Sequence, residues 1–212
     1  MIDPSVDTGV DDRLNFAVGT VVESEDSDNP GTVRVRYSWR GSNRESDQIR
    51  VVVPLATPEG GTYLLPQPGE EVFLAFEGGD INYPYVLGSV WNAEAEPPVE
   101  SEERGDVLRI RSRTGHEVTL DDRDSETRIE LVTNEGHRIV LDDASGKVSI
   151  EDNAGQRVVL DAAGDSVEIA ANSTLTLRAN SIELDGAAGV SISSRGEVSV
   201  AGKPIHLNKP GT

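Results

Sequence analysis

Three histidines, His116, His137 and His206, are the side chains of this chain best suited to binding a metal. His116 and His137 stand at equivalent points of an internal repeat, each directly after a glycine. If several copies assembled, each would recur and a metal ring would be conceivable, but a histidine beside a turn reads first as a solvated side chain. His206 lies between Ile205 and Leu207. Alternation along a strand sends those two aliphatic side chains to one face and the imidazole to the other. An axial metal needs the imidazole on the axis, so His206 is the single metal candidate and its own alternation counts against it.

Carboxylates are abundant, with 38 Asp and Glu against 19 Lys and Arg, so adjacent pairs such as Asp121-Asp122 and Asp142-Asp143 are expected from composition alone. In a turn such a pair could hold Ca²⁺, but a solvated acidic turn is the simpler reading. Glycoside hydrolysis needs two carboxyls flanking a sugar, commonly beside aromatic platforms, and no aromatic residue follows Trp91. No Gly-x-Ser-x-Gly or P-loop pattern occurs. Gly78-Gly79-Asp80 lies between strand-like runs with no helix after it, so it is a turn and not a phosphate cradle. The sequence thus predicts no catalytic residue, no cofactor and no resident metal.

The absence of Cys excludes disulfides and thiolate metal sites. No basic start followed by an apolar run predicts a signal peptide, and no apolar window is long enough to predict a transmembrane helix. A net charge of −19 disfavours nucleic acid as a partner. Of the 19 basic residues only Lys147, Lys203 and Lys209 are lysine. Many carboxylates with almost no lysine suggest a halophilic source, because high salt screens the self-repulsion.

The nine Phe, Trp and Tyr residues all lie between Phe16 and Trp91, and no proline occurs between Pro98 and Pro204. Those limits predict an N-terminal arm at 1–14, a barrel at 15–93, an acidic linker at 94–105, a repetitive stalk at 106–208 and a tail at 209–212. In the barrel, Thr32 to Tyr37 alternates with period two, while Phe16 to Val22, Ile49 to Leu55, Glu71 to Glu77 and Tyr85 to Trp91 read as further strands. Turn signals at Asp28-Asn29-Pro30-Gly31 and Pro66-Gln67-Pro68-Gly69 separate them.

The stalk repeats itself. Thr114-Gly115-His116-Glu117-Val118-Thr119-Leu120-Asp121 aligns with Glu135-Gly136-His137-Arg138-Ile139-Val140-Leu141-Asp142 and with Ala154-Gly155-Gln156-Arg157-Val158-Val159-Leu160-Asp161. The glycines are 21 and 19 residues apart, and Arg128 to Leu131 and Lys147 to Ile150 supply the intervening strands. Later the period shortens: Val167, Leu175, Ile182, Val190, Val198 and Ile205 open apolar–polar–apolar units 8, 7, 8, 8 and 7 residues apart. Each late unit offers two aliphatic side chains to an interior that one chain cannot enclose. A single-chain solenoid needs longer rungs, so three chains forming a narrow triangular prism fit better. Six late units would stack to roughly 25–30 Å.

Two stretches carry a resemblance. Gly31-Thr32-Val33-Arg34-Val35-Arg36-Tyr37-Ser38-Trp39 is one; Leu65 to Asp80, running into Tyr83-Pro84-Tyr85-Val86-Leu87-Gly88-Ser89-Val90-Trp91-Asn92, is the other. Together they resemble the OB-fold domain of central spike proteins in contractile injection machines, the phage baseplate assembly protein V and VgrG-like spikes. The resemblance implies an all-β fold: an N-terminal OB-fold barrel acting as a collar, followed by a trimeric, intertwined β-helix or β-prism needle. It implies a homotrimer that pierces a target cell envelope, below a separate baseplate hub protein and capped by a small PAAR-type tip protein. It places the protein in a virion tail baseplate or an injection particle assembled by a cell. No hub domain precedes the barrel and no lysozyme insertion follows it, so peptidoglycan cleavage is not implied. Some phage spikes end in a His-x-His iron site, where this sequence has His206-Leu207-Asn208. Two other readings remain: a tail-fibre protein that binds or depolymerises glycans, and a carrier spike with non-covalently held effectors.

Overall fold

The computed structural model describes residues 15–26, 28–40 and 44–206. The arm expected at 1–14, Leu207 and Asn208 beside His206, and the tail at 209–212 lie outside them. The described chain is all-β, with two short 3₁₀ turns at Ser38–Arg40 and Glu77–Gly79.

The N-terminal barrel is built from β1 (Phe16–Asp26), β2 (Asn29–Arg36), β3 (Ile49–Val51), β6 (Glu71–Phe76) and β7 (Pro84–Ser89), closed in the order β1-β2-β3-β7-β6. Long β1 makes closure possible. Its first half pairs with β6 and its second half with β2, and register shifts after Val21 and Ser24 let it bend between them. Parallel pairing of β3 with β7 completes the circle, and the other pairings are antiparallel. Alternation points Val21, Val33, Val35, Ile49, Val72, Leu74, Phe76 and Val86 inward, none more than 5% exposed. Gly19 makes room for this core: a Cβ there would meet Val35 Cγ1 at 2.4 Å.

The strand expected from Ile49 to Leu55 stops at Val51. Val52 donates its N–H to Val86 C=O at 2.8 Å and the chain then leaves the barrel. Pro54 has no N–H with which to continue a ladder, and Val52 and Leu55 are half-exposed. A small hairpin, β4 (Ala56–Thr57) with β5 (Gly60–Gly61), follows instead.

The stalk begins with seven five-residue strands: β8 (Val107–Arg111), β9 (Glu117–Asp121), β10 (Arg128–Val132), β11 (Arg138–Asp142), β12 (Lys147–Glu151), β13 (Arg157–Asp161) and β14 (Ser166–Ala170). They form an antiparallel meander in chain order, paired across all five positions without a bulge. The repeat of about 20 residues is therefore two strands and two turns. Gly115, Gly136 and Gly155 take φ of +91°, +88° and +83° in the turns along one edge, a backbone region that favours glycine. Of the five late units that lie wholly among the described residues, only the first, Val167 to Ile169, lies in a strand. Among the described residues no strand follows β14.

Candidate functional site

The dominant surface feature is one face of the meander. Cross-strand pairing aligns Leu108, Leu120, Ile129, Leu141, Val148, Leu160 and Val167 in one column and Ile110, Val118, Leu131, Ile139, Ile150, Val158 and Ile169 in a second. Strand periodicity places two aliphatic residues of each five-residue strand on the same side. Most stay well exposed within one chain, from Leu120 at 38% to Val167 at 68%. The second column, Leu64 of the barrel and the hairpin turns border an apolar groove of about 980 Å³. The aliphatic residues of the late units, from Leu175 to Ile205, are exposed as well. A contiguous apolar surface of this extent marks an interaction site.

The turns along the groove are built alike. Ser112 Oγ accepts the His116 N–H at 2.9 Å, Thr133 Oγ1 the His137 N–H at 3.1 Å, and Asp152 Oδ1 the Gln156 N–H at 2.8 Å. Each imidazole then reaches the next turn. His116 Nδ1 accepts the Asn134 N–H at 3.3 Å and His137 Nδ1 accepts the Asn153 N–H at 3.4 Å. These two histidines tie turn to turn. His206 is exposed at the end of the described chain. Among the described residues no three His, Asp or Glu side chains converge as a metal site would require.

The opposite face is polar, and near the barrel it departs from the solvated acidic turn expected at Asp121-Asp122. The Asp121 carboxylate is 1% exposed. It accepts hydrogen bonds from Arg123 Nε at 2.9 Å, Arg123 Nη2 at 2.6 Å and Arg123 N–H at 3.2 Å, with Arg128 Nη2 at 3.6 Å. The Arg123 guanidinium holds the carboxyl down to about 2, against the opposing pull of burial, and is itself raised above its ordinary value by Asp121. The sequence signal for this was Arg123, where the matching positions of later repeats hold Ala144 and Ala163. At those repeats the carboxylates cap turns. Asp142 accepts the Ser145 N–H and Asp161 the Gly164 N–H, each at 2.8 Å, and these backbone donors lower both pKa values. The Gln156 N–H does the same for Asp152. The lowered carboxylates are therefore turn caps and ion-pair partners.

On the barrel, Gly78 and Gly79 form a tight turn and Asp80 Oδ1 accepts the Asn82 N–H at 2.9 Å. A polar hollow of about 310 Å³ lies beside Tyr37, Asp47 and Tyr83. Phe16 and Phe73 stack on the outer surface, 5.5 Å between centroids, beside exposed Val18.

Residues 17–91 match the family model of the type VI secretion system/phage-baseplate injector OB domain. The chain is similar to the type VI secretion system spike protein VgrG2a of Pseudomonas aeruginosa, 26% identical over 133 residues, 58% of this chain and 16% of that protein. It is similar to VgrG1a of the same organism, 31% identical over 101 residues, 46% of this chain and 16% of that protein. The actin cross-linking toxin VgrG1 of Vibrio cholerae is 28% identical over 127 residues, 54% of this chain and 12% of that protein. The chain thus spans only 12–16% of the length of these relatives.

Proposed function

From the match of residues 17–91 to the injector OB domain and the similarity to VgrG spike proteins, we propose that this chain belongs to that spike family and is the central piercing spike of a contractile injection machine. The observation that carries the reading is the pair of open aliphatic columns on β8–β14, continued by exposed aliphatic units with no strand ladder of their own. Each half-exposed Val, Leu or Ile gains roughly 1 kcal/mol when fully buried. Backbone groups without a ladder need partners wherever water is excluded.

Three copies satisfy both needs. Each supplies one sheet as a wall of a triangular prism, columns inward, and the segments after β14 pair between chains to make the narrower end. The role is mechanical: the assembly crosses a target cell envelope when the machine contracts. A separate hub protein seats on the collar, where the exposed Phe16–Phe73 stack supports an attachment, and a PAAR-type tip protein covers the distal end. Both partners follow from the family resemblance.

Light scattering of the purified chain tests the assembly. A mass three times the 22.7 kDa of one chain is expected, and a monomer overturns the reading. Electron microscopy of the intact particle tests the role: density for this chain belongs on the tail axis at the baseplate, and a peripheral position overturns it.

A further inference from the structure

We propose that the buried Asp121 cluster is a latch that pins the segment between barrel and stalk against the first stalk hairpin, so that the two parts move as one body. The repeat itself shows that the cluster is an addition. Position 121 corresponds to 142 and 161, yet only Asp121 is buried. Arg123 stands where the later repeats have Ala144 and Ala163, and Arg128 where they have Lys147 and Ser166. A stalk hairpin evidently closes without these arginines, since the later hairpins do. The first hairpin differs in what lies over it.

What lies over it is the chain before β8. Arg123 Nη1 reaches Glu103 Oε1 at 3.3 Å, while its other nitrogens hold Asp121. Arg109 Nη1 donates to Pro98 C=O at 2.8 Å, its Nε donates to Thr119 Oγ1 at 3.2 Å, and its Nη2 lies 3.7 Å from Glu103. Backbone bonds reinforce the hold: Val107 N–H to Glu103 C=O at 3.1 Å and Asp122 N–H to Asp106 C=O at 2.8 Å. Asp121 thus anchors an arginine whose free side grips the incoming segment. Because Asp121 is out of water, removing Arg123 leaves a buried charge with only Arg128, 3.6 Å away, to offset it, a larger loss than that of an exposed pair. A second tie on the groove side, Arg113 Nη2 to Leu65 C=O at 3.2 Å, joins barrel and stalk independently.

Limited trypsin digestion of the full chain reads the latch at Arg104, which is exposed within the pinned segment. Cleavage there requires local opening, so its rate follows the population of the released segment. Arg123→Ala and Glu103→Gln are expected to raise the rate of cleavage between Arg104 and Gly105 by about tenfold or more, whereas Asp161→Asn leaves it at the wild-type value. Rates within about twofold of wild type for both variants overturn the latch. If Arg123→Ala fails to fold by circular dichroism, Glu103→Gln decides alone. If neither folds, the latch is overturned too, because the cluster then belongs to the stalk core. The latch does not depend on the number of copies, and light scattering on the same samples reports the proposed trimer separately.

Discussion

The two halves of the stalk use the same aliphatic alternation and differ in where their hydrogen bonds go. From Val107 to Ala170 every strand finds its neighbour in the same chain through a two-strand repeat of about 20 residues. From there to His206 the units shorten to 7 or 8 residues and no ladder forms within the chain. A hairpin repeat holds a strand, a reversing turn and a returning strand, so it pairs with itself. A unit of 7 or 8 residues is too short to hold two paired strands and their turn, so in the proposed trimer its ladder comes from another chain. On the proposed reading, repeat length separates a section that pairs within one chain from a section that other copies complete.

The severest way to break this comparison is a charge in the shared face. Ile150→Asp, in the second column, would put a carboxylate from each copy near the proposed axis at a cost of several kcal/mol per ion. We expect loss of the trimer, read as a monomer mass by light scattering; a surviving trimer would mean that the face is not buried. Hydrogen exchange sharpens the comparison next. In the assembled protein both halves should be protected, and in the dissociated variant protection after Ala170 should fall at least about a hundredfold further than in β10–β13. Equal losses would show that the first section also depends on its neighbours.

Acid weakens the base of the stalk most, because Asp121 is lowered further than Asp142, Asp152 and Asp161. Asp121 is lowered from 3.8 to about 2 in the folded chain, so its stabilisation is complete above pH 4 and is lost as pH falls through about 2. The contribution is on the order of 2 kcal/mol per chain. Thermal melts from pH 5 to pH 2 should show a decline that Asp121→Asn flattens; a variant with the wild-type slope would remove Asp121 from the account. The effect narrowest in reach is confined to the barrel. Gly19→Ala forces a methyl group against Val35 and Leu74 and should cost about 1–3 kcal/mol, lowering the barrel transition in calorimetry without changing the oligomer mass.

Much of this architecture was legible before any coordinates. Alternation from Thr32 to Tyr37 puts Val33, Val35 and Tyr37 on one face, and all three are buried. Repeated Gly-His and Leu-Asp pairs marked the hairpins, because turn geometry and strand period are local properties. What stayed hidden depends on distant partners. Val52 to Leu55 look like a strand, but whether an apolar run continues in a barrel is settled by the neighbour, and Val86 takes the last bond. Asp121 looks like a solvated turn residue because its partner Arg123 is held in turn by Glu103, which lies outside the repeat. The late units show their alternation, and among the described residues no strand pairing accompanies it after β14.

The turn-to-turn contacts of His116 and His137 also bear on how such a protein changes over generations. Each of these hairpins is closed by its own backbone ladder and its own turn cap, and the two histidine turns each meet the next turn through the same kind of contact. A stretch of about 20 residues can therefore be duplicated or lost in frame with like surfaces meeting at the new junction. Each such event would change the length of the sheet, the shaft of the proposed spike, by two strand spacings, roughly 9–10 Å, and leave the barrel untouched. Reach becomes a quantity that inheritance can adjust in steps.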